Sequence, residues 1–289
     1  MPKALTAENG AKAELIGEFF EEKEYRVLYQ DTDSLFVSIE KDEDIPLILE
    51  HVNERLKEHL IPEFNLKEYT IELQYEKTFD PLILVDKKRY TGLMKDLDGK
   101  AINKIFTRGL ETIKKDTIEF TRKLLIELIE MILIQERPIQ KIISWLLPIK
   151  RVVLEGEFTA NQLKITKKLS RPISEYKTKL PHVRLAEKLI KEGKILETQS
   201  GKHVWGQKIE YIVLNYKRSF KTEKSNPQEQ MDEILASNYK GEFDRNYYWN
   251  VQVFGIFKRL LKTVYPEYDW EQYSIKSINK KNINQMSLI

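Results

Sequence analysis

Tyr25-Arg26-Val27-Leu28-Tyr29-Gln30-Asp31-Thr32-Asp33-Ser34-Leu35-Phe36-Val37-Ser38-Ile39 is the stretch on which the reading of this chain turns. Val27 and Tyr29 alternate with Arg26 and Leu28, and Leu35, Val37 and Ile39 alternate with Phe36 and Ser38, which is the two-residue period of strands. The polar run from Tyr29 to Ser34 between them predicts a β-hairpin with Asp31 and Asp33 side by side at its tip. Two ionised carboxylates one residue apart repel each other, and a divalent cation relieves that repulsion. Asp, Thr and Ser are also ordinary turn residues that bond their own backbone, so the spacing alone leaves a plain solvated hairpin open.

Around this stretch lie 289 residues, enough to bury a core and hold one or two domains. With 41% hydrophobic and 32% charged residues the composition is that of a folded, well-charged protein and not of a disordered one. The net charge of +3, from 48 basic and 45 acidic residues, does not by itself announce a nucleic-acid partner. The absence of cysteine excludes disulfides, zinc-thiolate sites and thiol catalysis. No apolar stretch approaches a membrane span, and Met-Pro-Lys-Ala opens neither a signal nor a transit peptide, so an intracellular, cytoplasmic protein with no membrane partner is expected.

Outward from the hairpin, Thr6 to Glu22 puts Leu15, Ile16, Phe19 and Phe20 on one face of an expected helix. Leu49, Val52, Leu56 and Leu60 mark an amphipathic helix from Ile45 to Leu60 that can cover the back of a sheet. Tyr69 to Glu76 alternates as a strand, Leu82 to Val85 is a short apolar strand, and Asp98-Gly99 reads as a hairpin turn. Thr107 opens what the spacing of Leu110, Ile113, Thr117, Phe120, Leu124 and Leu128 predicts as the longest helix, closed by Pro138. Beyond residue 139 the composition turns to helices and basic loops, with a strand at Gly206 to Leu214 and a mobile loop at Lys217 to Gln230. The aromatics from Tyr247 to Phe254 read as core leading into a helix with Ile256, Leu260 and Leu261, and the tail from Trp270 is polar. Lys87-Lys88-Arg89-Tyr90 is, on spacing alone, either a solvated strand end or a nucleic-acid contact. His182 has no partner His or Cys nearby in sequence, so it reads as a residue that orients a loop or meets phosphate.

Tyr-x-Asp-Thr-Asp-Ser followed by Leu-Phe-Val resembles motif C of the palm of family B DNA polymerases. In that family the second aspartate is a ligand of two magnesium ions and the first lies beside the primer terminus. The resemblance therefore implies catalytic, metal-binding roles for Asp33 and Asp31, with Thr32 against the DNA. Gln30 stands where relatives often have Gly or Ala, which bears on the fit of the turn. Ala4 to Gly10 resembles an Ala-x-Thr-x-x-Gly run of a palm helix with one residue more between Thr6 and Gly10, and Ala11 follows where Arg is common. Lys87-Lys88-Arg89-Tyr90, about fifty residues after the hairpin, is similar to a palm element whose second lysine reaches the minor groove. That implies Lys88 at the groove, where acceptors are shared by all base pairs, with Lys87, Arg89 and Tyr90 near the primer backbone. Glu76 matches an accessory palm carboxylate that can serve the metals.

The start of the run from Thr107 to Asp116 resembles the palm-thumb junction, which places Arg108, Lys114 and Lys115 on the primer duplex. Lysine where arginine is frequent loses the bidentate fork, so weaker phosphate contact is expected. Ile165 to Leu169, Tyr176-Lys177 and Pro181 to Ala186 follow in the order of the family's thumb, which adds Thr166, Lys177 and His182 to the DNA contacts. The implied fold is α+β: an antiparallel palm sheet with packed helices, then a mostly helical thumb. Residues 1–106 would be the second half of the palm, 107–268 the thumb and 269–289 a tail. In Gln285 to Ile289 the Gln-x-x-Leu spacing resembles sliding-clamp-binding peptides, without their aromatic pair.

The family's exonuclease domain, motif A aspartate strand and fingers helix have no counterpart in these 289 residues. The resemblance thus implies the small subunit of a split polymerase, of the kind found in some archaea. Its two magnesium ions would be shared with a larger partner that carries the exonuclease, the fingers and the other aspartate. Primer-template DNA and dNTP would be its substrates, and the chain alone would be inactive. A non-catalytic DNA-binding or assembly protein descended from a polymerase, or a piece of a single-chain polymerase, are the alternatives. Met1 just ahead of an expected helix leads us to expect a natural chain end.

Overall fold

The computed structural model describes residues 3–8, 13–21, 25–31, 34–39, 45–65, 67–68, 72–97, 100–178, 180–193, 206–219 and 228–275. The chain divides into two compact units, Met1–Leu110 with Ile129–Glu136, and Glu111–Leu128 with Arg137–Ile289. The fold class is α+β, as expected, with antiparallel sheets and packed helices. No helix among the described residues is long and apolar enough to cross a membrane.

In the first unit the order is β1 (Lys3–Glu8), α1 (Ala13–Glu21), β2 (Val27–Asp31), β3 (Ser34–Ile39), α2 (Ile45–Phe64), β4 (Gln74–Asp86), β5 (Arg89–Leu97) and β6 (Lys100–Arg108). The strands form one antiparallel sheet in the order β2-β3-β1-β4-β5-β6. The predicted hairpin is present, with Asp31 opposite Ser34, so pairing runs further into the polar stretch than the alternation suggested. Thr32 and Asp33 lie outside the described residues.

The expected helix from Thr6 is corrected: Lys3–Glu8 is a strand, and the helix is confined to Ala13–Glu21. β1 pairs with β3 on one side and β4 on the other, and two ladders of backbone hydrogen bonds outweigh the helix propensity of Ala, Leu and Glu. The two strands expected on either side of residue 80 are one strand, β4, with register shifts between Thr78 and Leu82.

Both faces of β3 are covered. Leu35, Val37 and Ile39 pack with Phe19 and Phe20 of α1 and with Ile48, Val52, Leu56 and Leu60 of α2. Each such side chain contributes about 1.5–3 kcal/mol on burial. Asn53 fixes α2 to the chain before β4, its side chain accepting from Leu73 N–H at 2.7 Å and donating to Leu73 C=O at 3.0 Å. Asn65, at φ 46°, adopts the left-handed conformation that ends a helix, just past Phe64.

Phe36, on the opposite face, packs with Phe79, Leu82, Tyr90 and Met94, flanked by Leu28, Tyr29, Leu84, Leu97 and Phe106. This second core exists because the β4-β5 hairpin folds back over the sheet. Asp31, Ser34, Glu8 and Gln74 form one row across β2, β3, β1 and β4. Run straight, the chain from Gln74 to Lys88 would carry the β4-β5 turn about 45 Å from that row. Instead Lys88 touches Asp31 and Tyr29. The fold-back is made where β4 shifts register and β5 supplies Gly92: a Cβ there would stand 2.9 Å from both the Phe79 ring and the Pro81 carbonyl.

The second unit carries most of α3 (Glu119–Leu133), then α4 (Ile139–Glu155), α5 (Ala160–Leu163), β7 (Ile165–Lys168), α6 (Pro181–Lys191), β8 (Lys208–Ser219), β9 (Gln228–Leu235), α7 (Arg245–Tyr247) and α8 (Phe254–Val264). β7, β8 and β9 form an antiparallel sheet against which α6 packs. The helix expected from Thr107 is corrected too. Thr107 and Arg108 end β6, the chain then runs without regular structure, and α3 begins at Glu119. Ile113 is accordingly exposed, at 73%, and the longest described helix is α2. The loop expected over Lys217 to Gln230 is narrower, since β8 runs to Ser219 and β9 starts at Gln228.

The aromatics from Tyr247 to Phe254 are core, as expected: Tyr248, Trp249 and Phe254 are wholly buried. Tyr248–Val253 is a π-helix leading into α8. Gly255 makes it sterically possible, because a Cβ there would lie 2.3 Å from the Asn250 carbonyl oxygen. Trp270, expected in a polar tail, is also wholly buried, against Tyr268 and Tyr273. The last residues, 276–289, lie outside the described residues.

Candidate functional site

The fold-back of the first unit brings two turns of the chain together. Asp31 ends β2 and is partly buried, and one of its carboxylate oxygens lies 3.3 Å from Lys88 Nζ. The Lys88 backbone N–H donates to the Tyr29 hydroxyl at 2.8 Å. Lys87 and Lys88 form the tip between β4 and β5, and Asp86 accepts from the Lys87 N–H at 2.8 Å. Lys88 has φ 59°, a left-handed conformation that costs a side-chain-bearing residue about 1–2 kcal/mol. Its surroundings hold it there. The Lys88 carbonyl oxygen lies 2.1 Å from where a Cβ on Gly109 would be, and Gly109 itself has φ 68°. Only glycine lets the chain leaving β6 pass this close.

Tyr90 follows at the start of β5. Its ring is 3% exposed and packs edge-on against Phe36 at 4.9 Å, while its hydroxyl is hydrogen-bonded by Arg108. Burial raises the phenol pKa, and the Arg108 guanidinium opposes part of that rise. Glu76 is the extra residue where β4 shifts register against β1, and it is ion-paired with Lys77. Lys77 is itself buried, with its ammonium 5.1 Å from the centre of the Phe106 ring. The charge of Glu76 also raises the Tyr90 pKa, a smaller influence than burial.

Asp31, Lys88, Tyr90, Arg108 and Glu76, proposed from four separate stretches of sequence, are therefore carried by one unit, with Lys87 exposed beside Lys88 and Arg89 half-buried at the start of β5. The remaining residues fall in the second unit. Lys114 lies 3.8 Å from Glu111, which also binds Arg259 at 2.8 Å, and Lys115 is exposed. Thr166 donates to Glu210 at 3.4 Å, and Lys177 is exposed. His182 is 7% exposed, its ring edge-on to Tyr176, and burial followed by the charge of Lys167 lowers its pKa.

Sequence reasoning passed over Tyr29, Lys77 and Gly109. Tyr29 lies inside the quoted stretch and reads as an ordinary strand aromatic; its hydroxyl matters because of a residue 59 positions away. Gly109 could have been singled out as a glycine directly after a strand. Gln30, larger than the residue often found there in the resembled family, fits because Gly17 of α1 faces it: a Cβ on Gly17 would stand 3.1 Å from Gln30 Oε1. Among the described residues no three His, Cys, Asp or Glu side chains group as a metal site.

A family model described as DNA polymerase family B matches residues 2–264. The chain belongs to DNA polymerase family B. A DNA polymerase of Pyrococcus horikoshii is 28% identical over 266 residues, which is 90% of this chain and 19% of that protein. A DNA polymerase of Archaeoglobus fulgidus is 24% identical over 275 residues, 91% of this chain and 30% of the relative. The DNA polymerase delta catalytic subunit of Candida albicans is 28% identical over 200 residues, 67% of this chain and 18% of the relative. The chain thus spans less than a third of the length of these family B relatives. Among solved structures, the family B DNA polymerase of Pyrobaculum calidifontis shares the fold, with a TM-score of 0.50 and 21% identity over 86% of this chain and 28% of that one.

Proposed function

We propose that this chain is the small subunit of a split family B DNA polymerase. It would contribute the hairpin acids Asp31 and Asp33 and a duplex-gripping second unit to template-directed nucleotidyl transfer. The meeting of Asp31 and Lys88 carries this reading: a metal-binding acid and a groove-reaching cation, from motifs 57 residues apart, stand 3.3 Å from each other. They do so at the end of β2, which carries Asp31 and is the edge strand of the sheet, its outer side pairing with no other described strand. A partner supplying the second set of carboxylates would approach along that edge.

Family B DNA polymerases use divalent metals. The donors here suit one: Asp31 offers hard carboxylate oxygens and already has a positive charge, the Lys88 ammonium, beside it. Asp33 and Asp31 would hold two magnesium ions shared with the partner, with Glu76 as an accessory carboxylate. Bound there, magnesium supplies charge neutralisation at the attacking and departing oxygens.

The chain's own residues do the rest. Lys88, 68% exposed at its side chain, reaches minor-groove acceptors common to all base pairs and tests pair geometry without reading sequence. Lys87, Arg89 and Arg108 line the primer backbone, and Tyr90 orients Arg108 through its hydroxyl. Residues 1–106 act as the second half of the palm and 107–268 as the thumb, where Lys114, Lys115, Thr166 and Lys177 track phosphates, and His182, buried, braces the loop at Tyr176. The end of the chain, Gln285 to Ile289, offers a sliding clamp a minimal peptide. The larger partner brings the exonuclease, the fingers that bind dNTP and the remaining aspartate, so the chain alone is silent.

The test is primer extension by material captured from host extract on this chain, beside capture on Asp33→Ala. Magnesium-dependent extension with the first and none with the second, although both recover the same partner, supports a shared active site. Equal extension by both would remove Asp33 from the chemistry and leave an accessory DNA-binding protein.

A further inference from the structure

We infer that Lys88 is the counter-ion Asp31 keeps until a divalent cation replaces it, so that metal loading hands the lysine over to the nucleic acid. The inference rests on the polymerase reading and adds to it a coupling between the metal site and the DNA site within this one chain.

The two ends of Lys88 are held differently. Its backbone is fixed at three points: the N–H by the Tyr29 hydroxyl, the carbonyl by the close passage of Gly109, and φ at 59° by the tip it closes. Its side chain is 68% exposed, and the ammonium lies 3.3 Å from the Asp31 carboxylate. An ion pair this exposed is weak, so it sets a resting position and not a lock. Moving the ammonium requires only rotation about the bonds of the side chain, because Tyr29 and Gly109 keep the backbone where it is.

A divalent cation on the same carboxylate binds oxygen more closely than the ammonium does and places two positive charges beside it. The repulsion drives the ammonium away from Asp31, and the anchored backbone limits where it can go: outward from the corner, where a duplex would lie. Metal and DNA then bind with positive coupling, and the coupling must be reciprocal, so a bound duplex that draws off Lys88 also opens Asp31 to the metal. Before loading, the same contact neutralises Asp31 and withholds the lysine from DNA.

The experiment measures binding of a fluorescent primer-template duplex by the full chain through anisotropy, with magnesium chloride or with EDTA at matched ionic strength. We expect magnesium to tighten binding by the wild type roughly five-fold, the low end of couplings between sites. Lys88→Met should bind more weakly and lose the magnesium response. Asp31→Asn should bind without magnesium as tightly as the wild type does with it. In the absence of DNA, terbium binding, read from emission sensitised by Tyr29, should be tighter in Lys88→Met than in the wild type. An unchanged magnesium response in Lys88→Met, or terbium affinity equal to the wild type, overturns the coupling and leaves the polymerase reading standing. A wild-type chain that binds no duplex under either condition overturns both.

Discussion

The corner at Lys88 and the aromatic core around Trp249 are built on opposite plans. In the second unit Tyr248, Trp249 and Phe254 are fully enclosed, and every polar atom of the group that matters is spent on the backbone. The Tyr248 hydroxyl donates to the Leu163 carbonyl and accepts from the Val213 N–H, and the Trp249 indole donates to the Tyr273 carbonyl at 2.8 Å. In the first unit the Lys88 backbone is fixed by Tyr29 and Gly109, but its charged end is largely exposed and pairs with Asp31. One region uses its side chains to hold the fold, whereas the other uses the fold to hold a side chain ready to change partners.

That contrast can be broken in four ways. Trp249→Ala should cost most, about 3–5 kcal/mol, because it opens a cavity against Phe254, whose ring stacks on Trp249 at 5.3 Å. A urea denaturation curve checks it, and a change below about 1 kcal/mol would show that the core repacks. Gly109→Ala should cost about 1–3 kcal/mol through its left-handed backbone and the clash with the Lys88 carbonyl. Here the Lys88 turn should shift, and hydrogen exchange at the Lys88 amide should speed up well beyond that at residues of the sheet.

Tyr29→Phe keeps the ring, 5.5 Å from Phe36, and removes only the acceptor for the Lys88 N–H. About 1 kcal/mol is expected, with faster exchange confined to the Lys88 amide. The smallest effect is one of pH. His182 is held below the ordinary histidine value of 6.5 by burial, so it stays neutral in the folded protein while the unfolded chain takes up a proton. Because the unfolded state then binds more protons, stability rises with pH through that region and falls as pH drops below 6.5. His182→Gln should flatten the part of the pH profile that lies below 6.5, and an identical profile in the variant would show that other groups set it.

The alternation of Tyr25 to Ile39 was enough to place the hairpin, and the spacing of Val52, Leu56 and Leu60 was enough to place α2. Both signals are local, since a strand or a helix buries a periodic face that is written in consecutive residues. Where the reading went wrong, the deciding partner was distant. Lys3–Glu8 has the composition of a helix start and becomes a strand because β3 and β4 offer backbone on both sides. Thr107 to Ile118 carries a helical spacing that Gly109, turned left-handed against Lys88, does not allow to begin.

The same division holds for the site. Asp31, Lys88 and Arg108 are legible as charged residues in characteristic strings, whereas the roles of Tyr29 and Gly109 are not, because a hydroxyl and a missing Cβ acquire meaning only from what stands opposite them. The α+β class, the hairpin, the back helix and the family motifs are all carried by neighbours along the chain and could be read from it directly. The tertiary structure alone decided that β4 folds back on itself and lays Lys88 on Asp31. That fold-back depends on the register shift of β4, on Gly92 and on a shared aromatic core, and its energy comes from burying Phe36, Phe79 and Tyr90 together, a contact that no local pattern records.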